Sequence, residues 1–148
     1  MRLFVSIPLP YEQREHLARA LVGRPQDPDQ WHLTLAFLGE RDEPPVLDQV
    51  TAAPFDLHLA GSGMFPGVEW VGVEGDLPAL HDLASAVAAA SRVQQGIYRP
   101  HVTYSRRGRA ALPADYVGPS WTVDCFDLVE SVKTHRYEHT VLESYPLG

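Results

Sequence analysis

Two short motifs, His32-Leu33-Thr34-Leu35 and His101-Val102-Thr103-Tyr104, close the same order of elements twice, about 69 residues apart. In the first half, Arg2–Ile7 reads as a strand and ends at Pro8. Pro10 then opens a helix over Tyr11–Val22, with Leu17, Ala18, Leu21 and Val22 on one stripe and Gly23 as its stop. Residues 24–30 are loop, and Trp31–Leu38 is a strand. In the second half, Glu69–Glu74 is a strand, Leu77–Arg92 an alanine-rich helix, and Arg99–Ser105 the strand that carries the second motif. A chain that repeats strand, helix, loop, strand in this way is constrained to an α+β fold of two pseudo-symmetric lobes. Each lobe is a mainly antiparallel sheet covered by helices, and the lobes face across a central cleft.

The remaining segments fill in this frame. Pro44–Ala53 reads as a short helix with a proline in its first turn, Phe55–Ala60 as a strand, and Gly61–Gly67 as a turn. Two closing strands, Trp121–Val132 and His139–Tyr145, follow. With 148 residues, 45% of them apolar and 21% charged, the chain can bury a core without cross-links and reads as one domain over 1–148. No apolar run approaches the length of a membrane span, and no signal-peptide pattern opens the chain. The single cysteine, Cys125, reads as a small buried hydrophobe; it excludes a disulfide framework and points to a reducing, cytoplasmic setting.

The motifs carry the chemistry. Residues i and i+2 of a strand share a face, about 6.7 Å apart. Each motif therefore offers an imidazole beside a hydroxyl: His32 with Thr34, and His101 with Thr103. Strand parity puts Ala36 on that face and Leu33, Leu35 and Phe37 on the other. Two such strands facing each other surround one small cavity with two imidazoles and two hydroxyls. In-line displacement at phosphorus needs a base on the attacking oxygen and an acid on the leaving oxygen, and a histidine pair supplies both near neutral pH. Hydroxyls can hold the non-bridging oxygens. A zinc site built on His32 and His101 is the weaker alternative, because the chain has no HExxH or His-x-His spacing. No metal and no other cofactor is required.

Charge supports a small anionic ligand. The net charge is −7, yet Arg92, Arg99, Arg106, Arg107 and Arg109 fall in one stretch free of acids. Of the other histidines, His58 is expected at a solvent or cleft edge, and His16, His81, His135 and His139 on the surface.

The ordered set of blocks MRLFVSIPLP, WHLTLAFLGE, Gly67–Leu80, RPHVTYSR and FDLVESVKTHRYEHTVLESYPL resembles the two-histidine (2H) phosphoesterases. Within them it resembles the RNA 2′,3′-cyclic phosphodiesterases, first described as 2′–5′ RNA ligases. The resemblance covers nearly the whole chain. It implies metal-independent hydrolysis of an RNA-terminal 2′,3′-cyclic phosphate to a 2′-phosphomonoester, and ligation as the reverse. It implies His32 as proton donor, His101 as proton acceptor, and Thr34 and Thr103 on the phosphate oxygens. Arg106 is the arginine five residues after the second histidine; its strand parity opposes His101, so it reaches phosphate only if the strand bends or ends near Ser105. Tyr98 and Tyr137 are the leading candidates to stack the terminal base, ahead of Trp31, Phe37 and Phe65. The chain departs from the family in its shorter loops and in Tyr104-Ser105, where a Leu-Ala pair is usual. The expected partner is an RNA 3′ end bearing a cyclic phosphate, bound by a monomer away from membranes. The rival readings are a 2H phosphoesterase for a small cyclic or 2′–5′ linked nucleotide, and a catalytically silent RNA-end binding module.

Overall fold

The computed structural model describes residues 1–148. Strand β1 (Arg2–Pro8) leads to α1 (Tyr11–Ala20), the two-residue β2 (Val22–Gly23), a 3₁₀ turn at Pro28–Gln30, and β3 (His32–Glu40). Next come β4 (Phe55–Phe65), β5 (Val68–Gly75), α2 (Leu77–Ala90), β6 (His101–Arg106) and β7 (Ala110–Ala111). The chain closes with β8 (Trp121–Val123), β9 (Cys125–Lys133) and β10 (Tyr137–Pro146). Two four-stranded antiparallel sheets result, ordered β10-β9-β1-β3 and β6-β5-β4-β8. This is the expected α+β architecture, with the motif strands β3 and β6 at an edge of each sheet.

Local sequence explains most elements. In α2, Leu80, Leu83, Ala84, Val87 and Ala88 are buried, the i, i+3, i+4, i+7, i+8 stripe of a core-facing helix. The Asp76 carboxylate accepts from the Ala79 N–H at 3.1 Å, and Pro78 sits in the first turn, where its missing donor costs nothing. In β1, Leu3, Val5 and Ile7 turn into the core, which also takes Leu33, Leu35, Leu57, Leu59, Val102 and Phe126.

Several expectations give way. No helix forms over 44–53. Pro45 disfavours the helical conformation at Pro44, and a single turn, closed by the Val50 N–H to the Leu47 carbonyl, already buries both apolar residues. Helix α1 stops at Ala20, and Gly23 is no helix cap: it pairs with Ala110 in β2–β7, so close that a Cβ would meet the Arg109 carbonyl at 2.3 Å. The 61–65 stretch continues β4, by way of an irregular register between Leu59 and Ser62, and only Pro66 and Gly67 turn. The expected strand 121–132 breaks at Asp124 into β8 and β9, which belong to different sheets.

Candidate active site

Reciprocal backbone contacts set the separation of the motif strands. From the loop before β6, the Tyr98 hydroxyl donates to the Thr34 carbonyl at 2.7 Å and the Gln95 amide to the Leu35 carbonyl at 2.8 Å. From the loop before β3, the Gln26 N–H donates to the Tyr104 carbonyl at 2.7 Å. Each lobe thus satisfies edge carbonyls of the other lobe's motif strand.

Both motif strands bulge just past their threonines. Ser6 opposes Thr34 while Val5 opposes Ala36, which leaves Leu35 as an extra residue in β3. Thr103 opposes Trp70 while Ser105 opposes Glu69, which leaves Tyr104 as the extra residue in β6. An extra residue reverses the alternation beyond it. Ala36 is therefore buried and Phe37, expected inside, is 74% exposed on the cleft face. By the same step Arg106 swings onto the face of His101 and Thr103. The strand bends, as the arginine required, without ending at Ser105.

The cleft has a volume of about 850 Å³ and is lined by His32, Thr34, His101, Thr103, Arg106, Phe37, Tyr137 and His139, among others. The two imidazoles are held in matching ways. His32 Nδ1 lies 2.7 Å from the Gln30 carbonyl, and His101 Nδ1 lies 2.6 Å from the Arg99 carbonyl. A carbonyl only accepts, so each Nδ1 carries the hydrogen and each Nε2 is left for chemistry. His32 packs on Phe4 with ring centroids 4.8 Å apart, and edge-on against His139 at 5.2 Å. His101 stands edge-on to Phe65 at 5.3 Å and beside Trp70 at 5.8 Å. Trp70 can lie flat there because residue 63 is glycine; a Cβ would meet the indole at 2.3 Å. Burial pushes the His32 pKa down; the Gln30 carbonyl opposes this, and the neighbouring His139 and His101 add to it. Burial lowers that of His139 as well.

The arginine turn after β6 has its own support. Glu69, only 6% exposed, accepts from the Ser105 hydroxyl at 2.6 Å and from the Gly108 N–H at 2.8 Å. It thereby holds Arg107 at φ 59° and Gly108 at φ 67°, left-handed conformations that only glycine adopts freely.

Other expectations need correction. Tyr98 lies outside the cleft: its hydroxyl is spent on the Thr34 carbonyl, its ring meets His81 edge-on at 5.3 Å, and burial pushes its pKa up. It joins the lobes instead of facing the cleft. Tyr137 does line the cleft, 45% exposed, with Lys133 over its ring. His139 is exposed, as expected, but it also lines the cleft. The signal was present, because parity on a closing strand puts residue 139 on the face of residue 137. His16 and His81 are exposed but partnered, His16 by the Tyr116 hydroxyl at 2.8 Å. Cys125 is half-buried, with burial raising its thiol pKa. No group of three or more His, Cys, Asp or Glu side chains is arranged to hold a metal ion. No helix is long and apolar enough to cross a membrane.

Comparison with known proteins agrees with this fold. A profile described as "LigT like Phosphoesterase" matches residues 11–73. A Thermus thermophilus protein named "RNA 2′,3′-cyclic phosphodiesterase" is 32% identical over 99% of this chain and 90% of its own. The chain belongs to the LigT-like phosphoesterase family. An Escherichia coli relative with the same name is 33% identical over 82% of this phosphoesterase and 80% of its own length. Among solved structures, E. coli LigT in apo form superposes with a TM-score of 0.81 at 28% identity, covering 99% of this chain and 96% of that one. E. coli LigT complexed with 3′-AMP superposes with a TM-score of 0.80 at 30% identity, over the same shares of the two chains. The two sheets of this LigT-like phosphoesterase are thus the architecture of its relatives.

Proposed function

We propose that this phosphoesterase hydrolyses RNA-terminal 2′,3′-cyclic phosphates to 2′-phosphomonoesters, with His32 as general acid and His101 as general base. One observation carries the reading: two imidazoles from separate lobes open on one cleft, each tied through Nδ1 to the carbonyl two residues before it and each followed by a threonine. Equivalent anchoring leaves two free Nε2 atoms, the set an in-line displacement uses. His101 Nε2 takes a proton from water as the water oxygen bonds to phosphorus. The P–O3′ bond breaks and His32 Nε2 gives its proton to O3′. The 2′-phosphomonoester and a free 3′-hydroxyl result, and exchange with solvent restores both imidazoles. The anionic diester entering the cleft favours the proton on His32, which burial alone disfavours. Thr34 and Thr103 donate to the non-bridging oxygens, and the Arg106 fork clamps the same group. Phe37 and Tyr137 offer exposed ring faces to the terminal base. An RNA 5′-hydroxyl in place of water yields a 2′–5′ linkage by the same proton movements. The names of the Thermus and Escherichia relatives support the substrate class.

The test uses a cyclic-ended oligonucleotide and its analogue with sulfur as the 3′ leaving atom. His32→Ala and His101→Ala are each expected to lower kcat by at least about a hundredfold. The sulfur analogue, whose leaving group needs no acid, is expected to restore His32→Ala selectively. Rescue of His101→Ala alone would reverse the roles, and full activity of either variant on the natural substrate would end the proposal.

A further inference from the structure

A row of side chains crosses the concave face of the first sheet. His139 on β10 pairs with Ser131 on β9, and Arg2 on β1 pairs with Glu40 on β3. Arg2 falls beside Ser131, one residue before the Leu3–Glu130 pair. All four line the cleft. The one acid among them, Glu40, faces the Met1 ammonium at 3.4 Å, and Arg2 makes no ion pair. The row therefore presents a guanidinium, a hydroxyl and an imidazole with no committed anion. Its position is defined at both ends. His139 meets His32 edge-on at 5.2 Å, so the row starts against a proposed reacting group. Arg2 lies one pleat, about 6.7 Å, along β1 from Phe4, on which His32 packs. An anion held there lies about one nucleotide from the reacting phosphorus.

We propose that Arg2, Ser131 and His139 form a subsite for the phosphate on the 5′ side of the terminal nucleotide, so that the site selects a chain end over a cyclic mononucleotide. The proposal rests on the function proposed above. A cyclic mononucleotide with a free 5′-hydroxyl leaves the subsite empty; a dinucleotide fills it with a phosphodiester, and a 5′-phosphorylated mononucleotide with a monoester.

The experiment compares kcat/KM for these three cyclic phosphates in the wild type, Arg2→Gln, Arg2→Lys and Ser131→Ala. The dinucleotide is expected to exceed the 5′-hydroxyl mononucleotide by about tenfold, and the 5′-phosphorylated one to share the gain. Arg2→Gln is expected to cut that ratio about fivefold, Ser131→Ala less, and Arg2→Lys to retain most of it. The slope of log kcat/KM against log salt for the dinucleotide is expected to become shallower by about 0.7 in Arg2→Gln. Equal wild-type efficiency on all three substrates, or a ratio untouched by Arg2→Gln, overturns the subsite while leaving the proposed function standing. If the wild type hydrolyses none of them, it is the function that fails. Calorimetric binding of 2′-phosphorylated dinucleotide against 2′-phosphorylated mononucleoside then still decides the subsite, by the same ratio and the same variants.

Discussion

Removing the Glu69 carboxylate probes how the arginine turn is held. Glu69→Ala deletes two hydrogen bonds to a buried anion, one from the Ser105 hydroxyl and one from the Gly108 N–H. Bonds to charged groups are worth about 1.5–3 kcal/mol each, and the two share one oxygen, so they do not simply add. Ser105 keeps a second acceptor, the Ala110 carbonyl at 3.4 Å, whereas Gly108 loses its partner. Relief from burying the charge offsets part of the loss, and about 3 kcal/mol remains. For a chain of this size that lowers Tm by about 6–12 °C, measurable by circular dichroism. The activity effect separates positioning from stability. Arg107 holds a left-handed φ of 59° that costs about 1–2 kcal/mol, and without the staple the turn relaxes and takes Arg106 off the cleft. At 20 °C, where the variant remains folded, kcat/KM on a cyclic-ended oligonucleotide is expected to fall about tenfold. Glu69→Gln keeps the accepting oxygen, so it is expected to lose only about 1 kcal/mol and less than threefold in activity. Wild-type kcat/KM in a folded Glu69→Ala protein would refute the link between staple and clamp.

Two other outcomes follow from the histidines. kcat/KM is expected to trace a bell against pH, with its acid limb below the ordinary imidazole value near 6.5, because burial lowers the His32 pKa. A flat profile with chemistry rate-limiting would contradict acid–base histidines. The same shift sets the sign for stability. Between the lowered folded value and 6.5 the unfolded chain binds more protons at His32 and His139, so Tm is expected to fall on acidification through that window. Dialysis against a chelator is expected to leave activity unchanged, since the proposed proton transfers use side chains alone; loss restored by zinc would overturn this.

Much of the site was legible because its grammar is local. Alternation with period two put His32 with Thr34 and His101 with Thr103, and the order of strands and helices implied two lobes. The short helix expected over 44–53 failed because Leu47 and Val50, three apart, fit a turn as well as a helix. Tyr98 was misplaced because sequence offers no sign that a carbonyl on the opposite lobe would claim its hydroxyl.

Which residues share a strand face is decided within a few bonds, so the amino-acid sequence alone determined the two imidazole–hydroxyl pairs. Which face a residue shows beyond a bulge depends on the partner strand, and partners such as β5 and β6 or β1 and β3 lie some 25–40 residues apart in the chain. Only the tertiary structure, therefore, turned Phe37 and Arg106 into the cleft and brought His139 from the closing strand against His32.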